Sequence, residues 1–165
     1  MSINKNGVLQ SYLSEQRIPI HNLLDDLSKF TLSNISLDTN TGIFTFVSGG
    51  LAMSNYPLPL PVAGHRYYGR VEQKLVANAH TDDGRFEYFA GDGAGLNIVF
   101  TDFNSAIKDD NWHAQSSIQV FPSVAGSSYY LRTFSVNANA TIYRRNHVII
   151  DLTDFFGTGN EPSVE

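Results

Sequence analysis

The feature that most constrains the fold is a series of short alternating segments over residues 30–152, separated by turn residues. Within each segment apolar and polar residues alternate, which is typical of a strand with one buried face. Glycine, proline, asparagine and aspartate recur between the segments at intervals of about 8–12 residues, the spacing of a β-sandwich. Strands are predicted over residues 30–37, 43–47, 51–56, 66–77, 85–90, 95–101, 112–121, 127–136, 140–144 and 146–152.

The connections between these strands favour an antiparallel arrangement. Prolines at 57, 59 and 61 predict an edge or crossing loop, and Asp82, Asp83 and Gly84 predict a hairpin turn. No helical pattern of ten or more residues lies between strands, which excludes a sheet of βαβ units. The predicted fold class is therefore all-β, an antiparallel two-sheet β-sandwich of the jelly-roll type.

The chain is predicted to have two parts. Residues 1–16 form a short N-terminal strand or arm with no obvious strand partner, and we expect this arm either to dock on the sandwich or to make an assembly contact with another subunit. Residues 17–165 form the sandwich, and this length is sufficient for one domain with a core of its own.

The composition of the chain limits the kinds of molecule that we expect it to bind. Charged residues are 16% of the chain, against about 25% in an average domain, so most surface polarity is neutral. Neutral polar groups suit sugar ligands, and they equally suit a β-rich protein without a ligand. The net charge is −5 and the basic residues are scattered, which excludes nucleic acid as a partner. No apolar run approaches twenty residues, so no membrane insertion is expected.

Catalytic and metal patterns are weak. Cysteine is absent, which excludes disulfides and thiol chemistry, and the five histidines form no ligand motif. A glycosidase needs two carboxylates facing each other across a cleft, and most acids here stand at turns. We therefore predict no enzyme and no cofactor. A structural calcium ion stays open, because the turn carboxylates are hard oxygen ligands, and metal ligands remain unassigned.

Aromatic and arginine side chains on the strands are the strongest candidates for a binding site. A saccharide site combines flat apolar rings with planar hydrogen-bonding groups. Period two places Arg66, Tyr68 and Arg70 on one face of their strand, and Tyr130 and Arg132 on one face of another. An alternative is that these side chains are solvated cross-strand partners or packed surface. The predicted ligand-binding residues are Arg66, Tyr68, Arg70, Tyr88, Trp112, Tyr130 and Arg132.

Four segments resemble known modules. The lead-in at 22–30, the segment LPVAGHRYY at 60–68 and the segment WHAQSSI at 112–118 resemble carbohydrate-binding-module-like jelly rolls. The closing segment DLTDFFGTGNEP at 151–162 resembles β-sandwich modules in tail and baseplate proteins of tailed bacteriophages. In this last segment we expect Phe155 and Phe156 to plug the end of the sandwich and the glycines to permit a turn.

The resemblance implies a function, a location and partners. It implies a non-catalytic phage tail or baseplate module that binds a host cell-surface saccharide. Such a protein would be synthesised in the host cytoplasm, would reside in the virion tail, and would contact other virion proteins as a homo-oligomer. Two alternatives remain at this stage: a purely structural virion protein without a ligand, and a polysaccharide-degrading enzyme.

Overall fold

The computed structural model describes residues 2–3, 22–24, 26–93 and 97–164. Two short 3-10 helices, Leu27–Lys29 and Phe103–Ser105, and one α-helix, α1 (Leu152–Phe156), accompany the strands. The strands are β1 (Ser2–Ile3), β2 (Thr31–Ser33), β3 (Ile35–Asp38), β4 (Ile43–Phe46), β5 (Leu51–Leu58), β6 (Arg66–Lys74), β7 (Asp83–Ala90), β8 (Ile98–Asp102), β9 (Trp112–Val120), β10 (Tyr129–Val136), β11 (Ile142–Asp151) and β12 (Ser163–Val164).

Ten of these strands form two five-stranded sheets. Sheet I has the order β2-β5-β10-β7-β8, and sheet II has the order β3-β4-β11-β6-β9. Every strand pair within the two sheets is antiparallel. The prediction of an all-β, antiparallel two-sheet jelly-roll sandwich is therefore confirmed.

Aromatic rings fill one half of the space between the sheets. Tyr88 packs edge-to-face against Tyr67, Phe121 and Tyr129, with ring centroids 5.5, 5.1 and 5.8 Å away. This geometry places ring edges against ring faces, which adds to the gain from burial. The other half of the core is formed by Phe44, Phe46, Ala52, Leu75, Ala79, Ala106, Ala138 and Ile142.

The predicted strand over 30–37 is wrong as a single element, because the chain changes sheets within it. Asn34 lies between β2 and β3 with φ of 53°, a left-handed conformation that asparagine tolerates better than most residues. Its Nδ2 donates to the carbonyl of Leu51 at 2.8 Å. β2 therefore joins sheet I and β3 joins sheet II.

Two predicted strands, 140–144 and 146–152, are one strand. β11 runs through the whole region, and its register against β6 shifts between Arg145 and Val148. Asn146 has φ of 52° at this irregularity. A bulge of this kind absorbs an extra residue without ending the strand, which explains why the pattern resembles two segments.

One predicted turn and the end of one predicted strand also differ. Asp83 and Gly84 are the first residues of β7 rather than a hairpin turn, and β6 and β7 lie in different sheets. Pro57 lies inside β5, although it was predicted to stand beyond the strand. β2 pairs only with Met53 to Asn55, so β5 is an edge strand at Pro57 and tolerates the missing N–H.

The closing segment starts with a helix rather than a turn. Asp151 Oδ1 accepts from the N–H of Asp154 at 3.0 Å and caps α1, and Gly157 with φ of 82° ends it. Leu152 is fully buried at the end of the sandwich. Phe155 and Phe156 are only half-buried and pack on each other at 4.7 Å, so the predicted plug is Leu152 instead.

The two ends of the described chain meet in a small sheet of their own. β1 pairs in parallel with β12, with Ser2 opposite Ser163. The rest of the predicted arm, and its boundary at residues 16 and 17, lie outside the described residues. In the described part of the chain, no helix is long and apolar enough to span a membrane.

Candidate functional site

The predicted site residues do not line a common surface. Tyr130 and Arg132 lie on the outer face of sheet I, and Tyr88 lies between the sheets. Four residues lie on the outer face of sheet II: Arg66, Tyr68, Arg70 and Trp112. The two outer faces point in opposite directions, so they are separate candidate surfaces.

Tyr88 belongs to the core. Its exposed fraction is 0%, and its hydroxyl donates to the carbonyl of Pro59 at 2.6 Å. Burial raises the pKa of this hydroxyl well above its ordinary value. A side chain in this position supports packing and leaves no surface for a ligand, so the prediction that Tyr88 binds a ligand is wrong.

The outer face of sheet II carries an internally satisfied ion-pair network around Glu72. Glu72 Oε1 accepts from Arg70 Nη2 at 2.7 Å, and Oε2 accepts from Arg145 Nε and Asn146 Nδ2, each at 3.0 Å. Burial raises the pKa of this carboxyl, but the three donors outweigh burial and hold it below its ordinary value. The carboxylate therefore has little capacity left for a ligand.

Trp112 on the same face is also occupied. The guanidinium of Arg145 lies 4.0 Å from the centroid of its ring, a cation–π contact that uses a flat surface on which a sugar would stack. Tyr68 stands between Ile118 of β9 and Ile150 of β11 in the strand register. This arrangement favours the cross-strand alternative for Tyr68, Arg70 and Trp112. Arg66 lies opposite Val120 at the start of β6 and is exposed.

The outer face of sheet I has a different organisation. A polar row crosses three strands, with Asn55 of β5 opposite Arg132 of β10 and Arg132 opposite Glu87 of β7. Aromatic residues lie on both sides of this row. In the register, Tyr130 and Phe89 form one side and Phe134 forms the other. We call the polar row and these three aromatics together the sheet I face.

Arg132 is held at the centre of the sheet I face. Its Nε donates to Glu87 Oε1 at 2.6 Å, and its Nη2 contacts the same oxygen. The guanidinium carbon lies 3.5 Å from the ring centroid of Phe89 and 4.4 Å from that of Phe134. Two ring contacts and an ion pair fix the plane of the guanidinium, which is the pre-organised state that binding requires.

Two acceptor atoms beside Arg132 have no donor. Glu87 is 0% exposed, and its Oε2 has no hydrogen-bond partner among the described residues. The atom Asn55 Oδ1, at the other end of the polar row, is also buried and has no hydrogen-bond partner among these residues. Burial raises the pKa of Glu87, and Arg132 opposes the shift without cancelling it. Each unpaired buried acceptor costs about 1–3 kcal/mol, and a ligand donor would reach it only where the side chains that cover it move aside.

A glycine positions the aromatic side of the face. A Cβ atom at Gly91 would lie 2.3 Å from Cε2 of Tyr130, so the ring rests directly on the backbone of the loop after β7. This loop begins the glycine-rich segment at 91–95, whose first residues form a turn. Only a residue without a side chain allows this close approach.

Metal and hydrolytic chemistry find no support in the described part of the chain. No group of three or more histidines and carboxylates there could hold an ion. A cleft with a volume of about 450 Å³ lies between β8 and β9 and is lined by one carboxylate, Asp102. A glycosidase requires a second one facing it.

Comparisons with known proteins give the fold and no closer relationship. No protein-family model and no curated protein matches the chain. Among solved structures, the C-terminal family 22 carbohydrate-binding module of Clostridium thermocellum Xyn10B superposes with a TM-score of 0.54 at 13% identity, covering 88% of this chain and 95% of the module. The CBM22-2 xylan-binding domain of Paenibacillus barcinonensis Xyn10C gives 0.54 at 11%, covering 79% and 96%.

A phage protein shares the same architecture. The enzymatically active domain of bacteriophage CBA120 tailspike protein 4 gives a TM-score of 0.51 at 10% identity, over 77% of this chain and 20% of that chain. Identities this low establish a shared fold. The chain therefore has the β-sandwich fold of carbohydrate-binding modules.

Sequence reasoning missed four members of the sheet I face, although one signal was available. Alternation along β7 puts Phe86, Tyr88 and Ala90 on one side and Arg85, Glu87 and Phe89 on the other. The apolar set marks the core, so Glu87 and Phe89 rather than Tyr88 face outward. Phe134 shares the face of Tyr130 and Arg132 by period two along β10, although it was not predicted as a site residue. Asn55 joins them through strand pairing with a distant segment, which alternation within one strand does not reveal.

Proposed function

We propose that this chain is a non-catalytic module of a phage tail or baseplate that binds a host cell-surface saccharide on the sheet I face. The observation that carries the proposal is the guanidinium of Arg132, which Glu87 Oε1 and the rings of Phe89 and Phe134 fix on the outer face of sheet I. The N–H groups of an arginine donate to the hydroxyl oxygens of a sugar.

The aromatic residues supply the second requirement of a saccharide site. Tyr130 and Phe89 stand opposite each other on β10 and β7, and both are half-buried. Arg132 covers one face of the Phe89 ring, so the Tyr130 ring offers the apolar surface to the C–H face of a sugar, while the polar row lies beside it. A site that combines a stacking surface with a few fixed polar groups favours a neutral, hydroxyl-rich ligand.

Support for the phage setting comes from the closing motif at 151–162 and from the fold shared with a tailspike domain. Weak sites are effective in a tail, because several copies engage one cell surface and their affinities combine. The proposed partners are therefore a host cell-wall saccharide and other virion proteins, with the protein located in the virion.

Titration calorimetry with host cell-wall polysaccharide and neutral oligosaccharides tests the site. We expect Glu87→Gln and Asn55→Ala each to weaken binding at least tenfold, which is about 1.4 kcal/mol. Glu72→Gln on sheet II is the matched control, since it removes a half-buried carboxylate from the opposite face and should leave affinity unchanged. Absence of binding by the wild type, or equal losses in the control, would reject the site.

The location is tested separately by mass spectrometry of purified virions of the phage that encodes this chain. We expect the chain in intact particles and in isolated tails. A protein that is abundant in infected cells and missing from virions would reject the tail assignment while leaving saccharide binding in place.

A further inference from the structure

The two sheets have four edges, and one of them differs from the other three. The edge strands β2, β3 and β8 have 3, 4 and 5 residues, whereas β9 has 9. A long edge strand presents a row of unpaired backbone groups to any chain that approaches, and proteins usually keep such edges short. Only β9 departs from this rule.

β9 also lacks the other features that protect an edge. Its sequence, WHAQSSIQV, has no lysine, arginine, aspartate, glutamate or proline. Its pairing with β6 is unbroken over nine residue pairs, so no bulge turns the edge away. By contrast β8 ends at Asp102 and has an irregular register against β7, and β3 ends at Asp38. Charges and bulges are the usual means of preventing edge pairing.

The middle of β9 is accessible. A cleft of about 450 Å³ separates Ala114, Gln115 and Ser116 from β8. β8 approaches β9 more closely one residue further on, where Ser117 Oγ donates to the carbonyl of Phe100 at 2.7 Å. Among the described residues, β9 pairs only with β6. No strand of the described part of the chain occupies its other edge, so that edge can accept a strand.

The sequence of β9 allows two β9 strands, one from each of two copies of the chain, to pair antiparallel. A two-fold axis through Ser116 keeps side chains on matching faces and pairs all nine residues. On the outer face it places Trp112 opposite Val120 of the second copy and Ala114 opposite Ile118. Aromatic with β-branched pairs are favourable, and no like charges meet although the chain as a whole carries −5.

We propose that two copies of this chain associate through β9. The two β9 strands pair antiparallel about Ser116 and join the two copies of sheet II into one ten-stranded sheet. Such an interface is isologous and closes at two copies. It leaves the sheet I face of each copy uncovered, so a dimer would present two of them. The inference does not depend on saccharide binding and would hold for a purely structural protein.

Light scattering coupled to size-exclusion chromatography tests this proposal on the full chain. We expect the wild type to be a dimer, and Ser116→Lys and Ser116→Asp each to be monomeric, because like charges would face each other at the axis. Mixing the two variants should restore a dimer, since lysine then meets aspartate. Ser36→Lys on the short edge strand β3 is the control and should remain dimeric; position 36 is exposed, as is position 116.

Three results would overturn the proposal. They are a wild type that is monomeric at the highest concentration attainable, a Ser116→Lys variant that remains dimeric, and a mixture of the two charged variants that stays monomeric. Thermal unfolding of each variant confirms that the monomers are folded, because position 116 is on the surface and the substitution should leave the melting temperature close to that of the wild type.

Discussion

Arg144 Nη1 donates a hydrogen bond of 2.8 Å to Thr133 Oγ1, and this bond joins the two sheets through the buried interior. Arg144 is 0% exposed, and its guanidinium carbon lies 3.3 Å from the ring centroid of Phe103 and 4.1 Å from that of Phe46. Its Nε and Nη2 have no partner among the described residues. Burial lowers its pKa well below the ordinary value. The guanidinium is thus held by two rings, the hydroxyl of Thr133 and the carbonyl of Phe134, which accepts from Nη1 at 3.1 Å.

We predict that Arg144→Met leaves the free energy of unfolding unchanged or raises it by about 1 kcal/mol. Methionine fills similar volume between the two rings and removes two unpaired donors and a desolvated charge. Thr133→Val should instead lower the free energy of unfolding by about 1–3 kcal/mol, because it keeps the charge and removes one of its two hydrogen-bond acceptors. Urea unfolding at neutral pH measures both. A larger loss in Arg144→Met than in Thr133→Val would contradict this account.

His147 should make the protein sensitive to acid. Its ring lies among Phe44, Phe86 and Phe30, with centroids 4.8, 5.6 and 6.3 Å away. Burial, helped by the charge of Arg144, lowers its pKa from 6.5 to about 3. The folded state then binds this proton less readily than the unfolded state. The stabilisation is complete above pH 6.5 and is lost as the pH falls toward 3.

From this group alone, the free energy of unfolding should fall by roughly 2–3 kcal/mol between pH 7 and pH 4.5. His147→Phe removes the titrating group and keeps an aromatic ring in the cluster. Urea unfolding of both proteins at the two pH values gives the comparison. The variant should lose less stability on acidification, and parallel pH profiles would show that His147 is not responsible.

Alternation predicted the parts of the fold that depend on one strand at a time. β6 is the clearest case, since Tyr67 and Val71 are buried while Arg66 and Arg70 face outward as period two requires. Alternation did not predict the positions where an unusual backbone conformation interrupts a strand. Asn34 and Asn146 are left-handed, and the sequence shows only polar residues between apolar ones, a pattern that does not distinguish a sheet change from a bulge.

The site was harder to predict than the fold, because it depends on which strands are neighbours. Tyr130 and Arg132 were recognised as sharing a face, but their partners come from β5 and β7, about 45 to 75 residues earlier in the chain. The adjacent residues Arg144 and Arg145 show the same limit. Alternation predicts that their side chains lie on opposite faces of β11, and only the packing of the two sheets shows that Arg144 is the buried one.

Gly69 should be intolerant of any side chain. It lies on the core side of β6, and a Cβ atom there would be 2.1 Å from Cγ of Phe100. We expect Gly69→Ala to lower the free energy of unfolding by about 1–3 kcal/mol through overpacking. In a Phe100→Ala background the added methyl group meets a cavity, so its cost should fall below about 1 kcal/mol. Equal costs in both backgrounds, measured by denaturant unfolding, would exclude this contact as the cause.

Gly91 should control affinity through Tyr130 rather than through stability. A Cβ atom at Gly91 would lie 2.3 Å from Cε2 and 2.7 Å from Cδ2 of the Tyr130 ring. Tyr130 is half-buried on the outer face, so its ring can swing away at little cost to folding. We therefore expect Gly91→Ala to change the free energy of unfolding by less than about 1 kcal/mol, because a movable surface ring relieves the clash.

The displaced ring would no longer stand beside Arg132, and we expect saccharide affinity in Gly91→Ala to fall by about three- to tenfold, since one stacking surface loses its position. A double-mutant cycle isolates the cause. Tyr130→Ala alone should weaken binding at least as much, and adding Gly91→Ala to it should cause little further loss, because the two residues act through one ring. Additive losses in calorimetric titration would mean that Gly91 acts on binding by a route other than Tyr130.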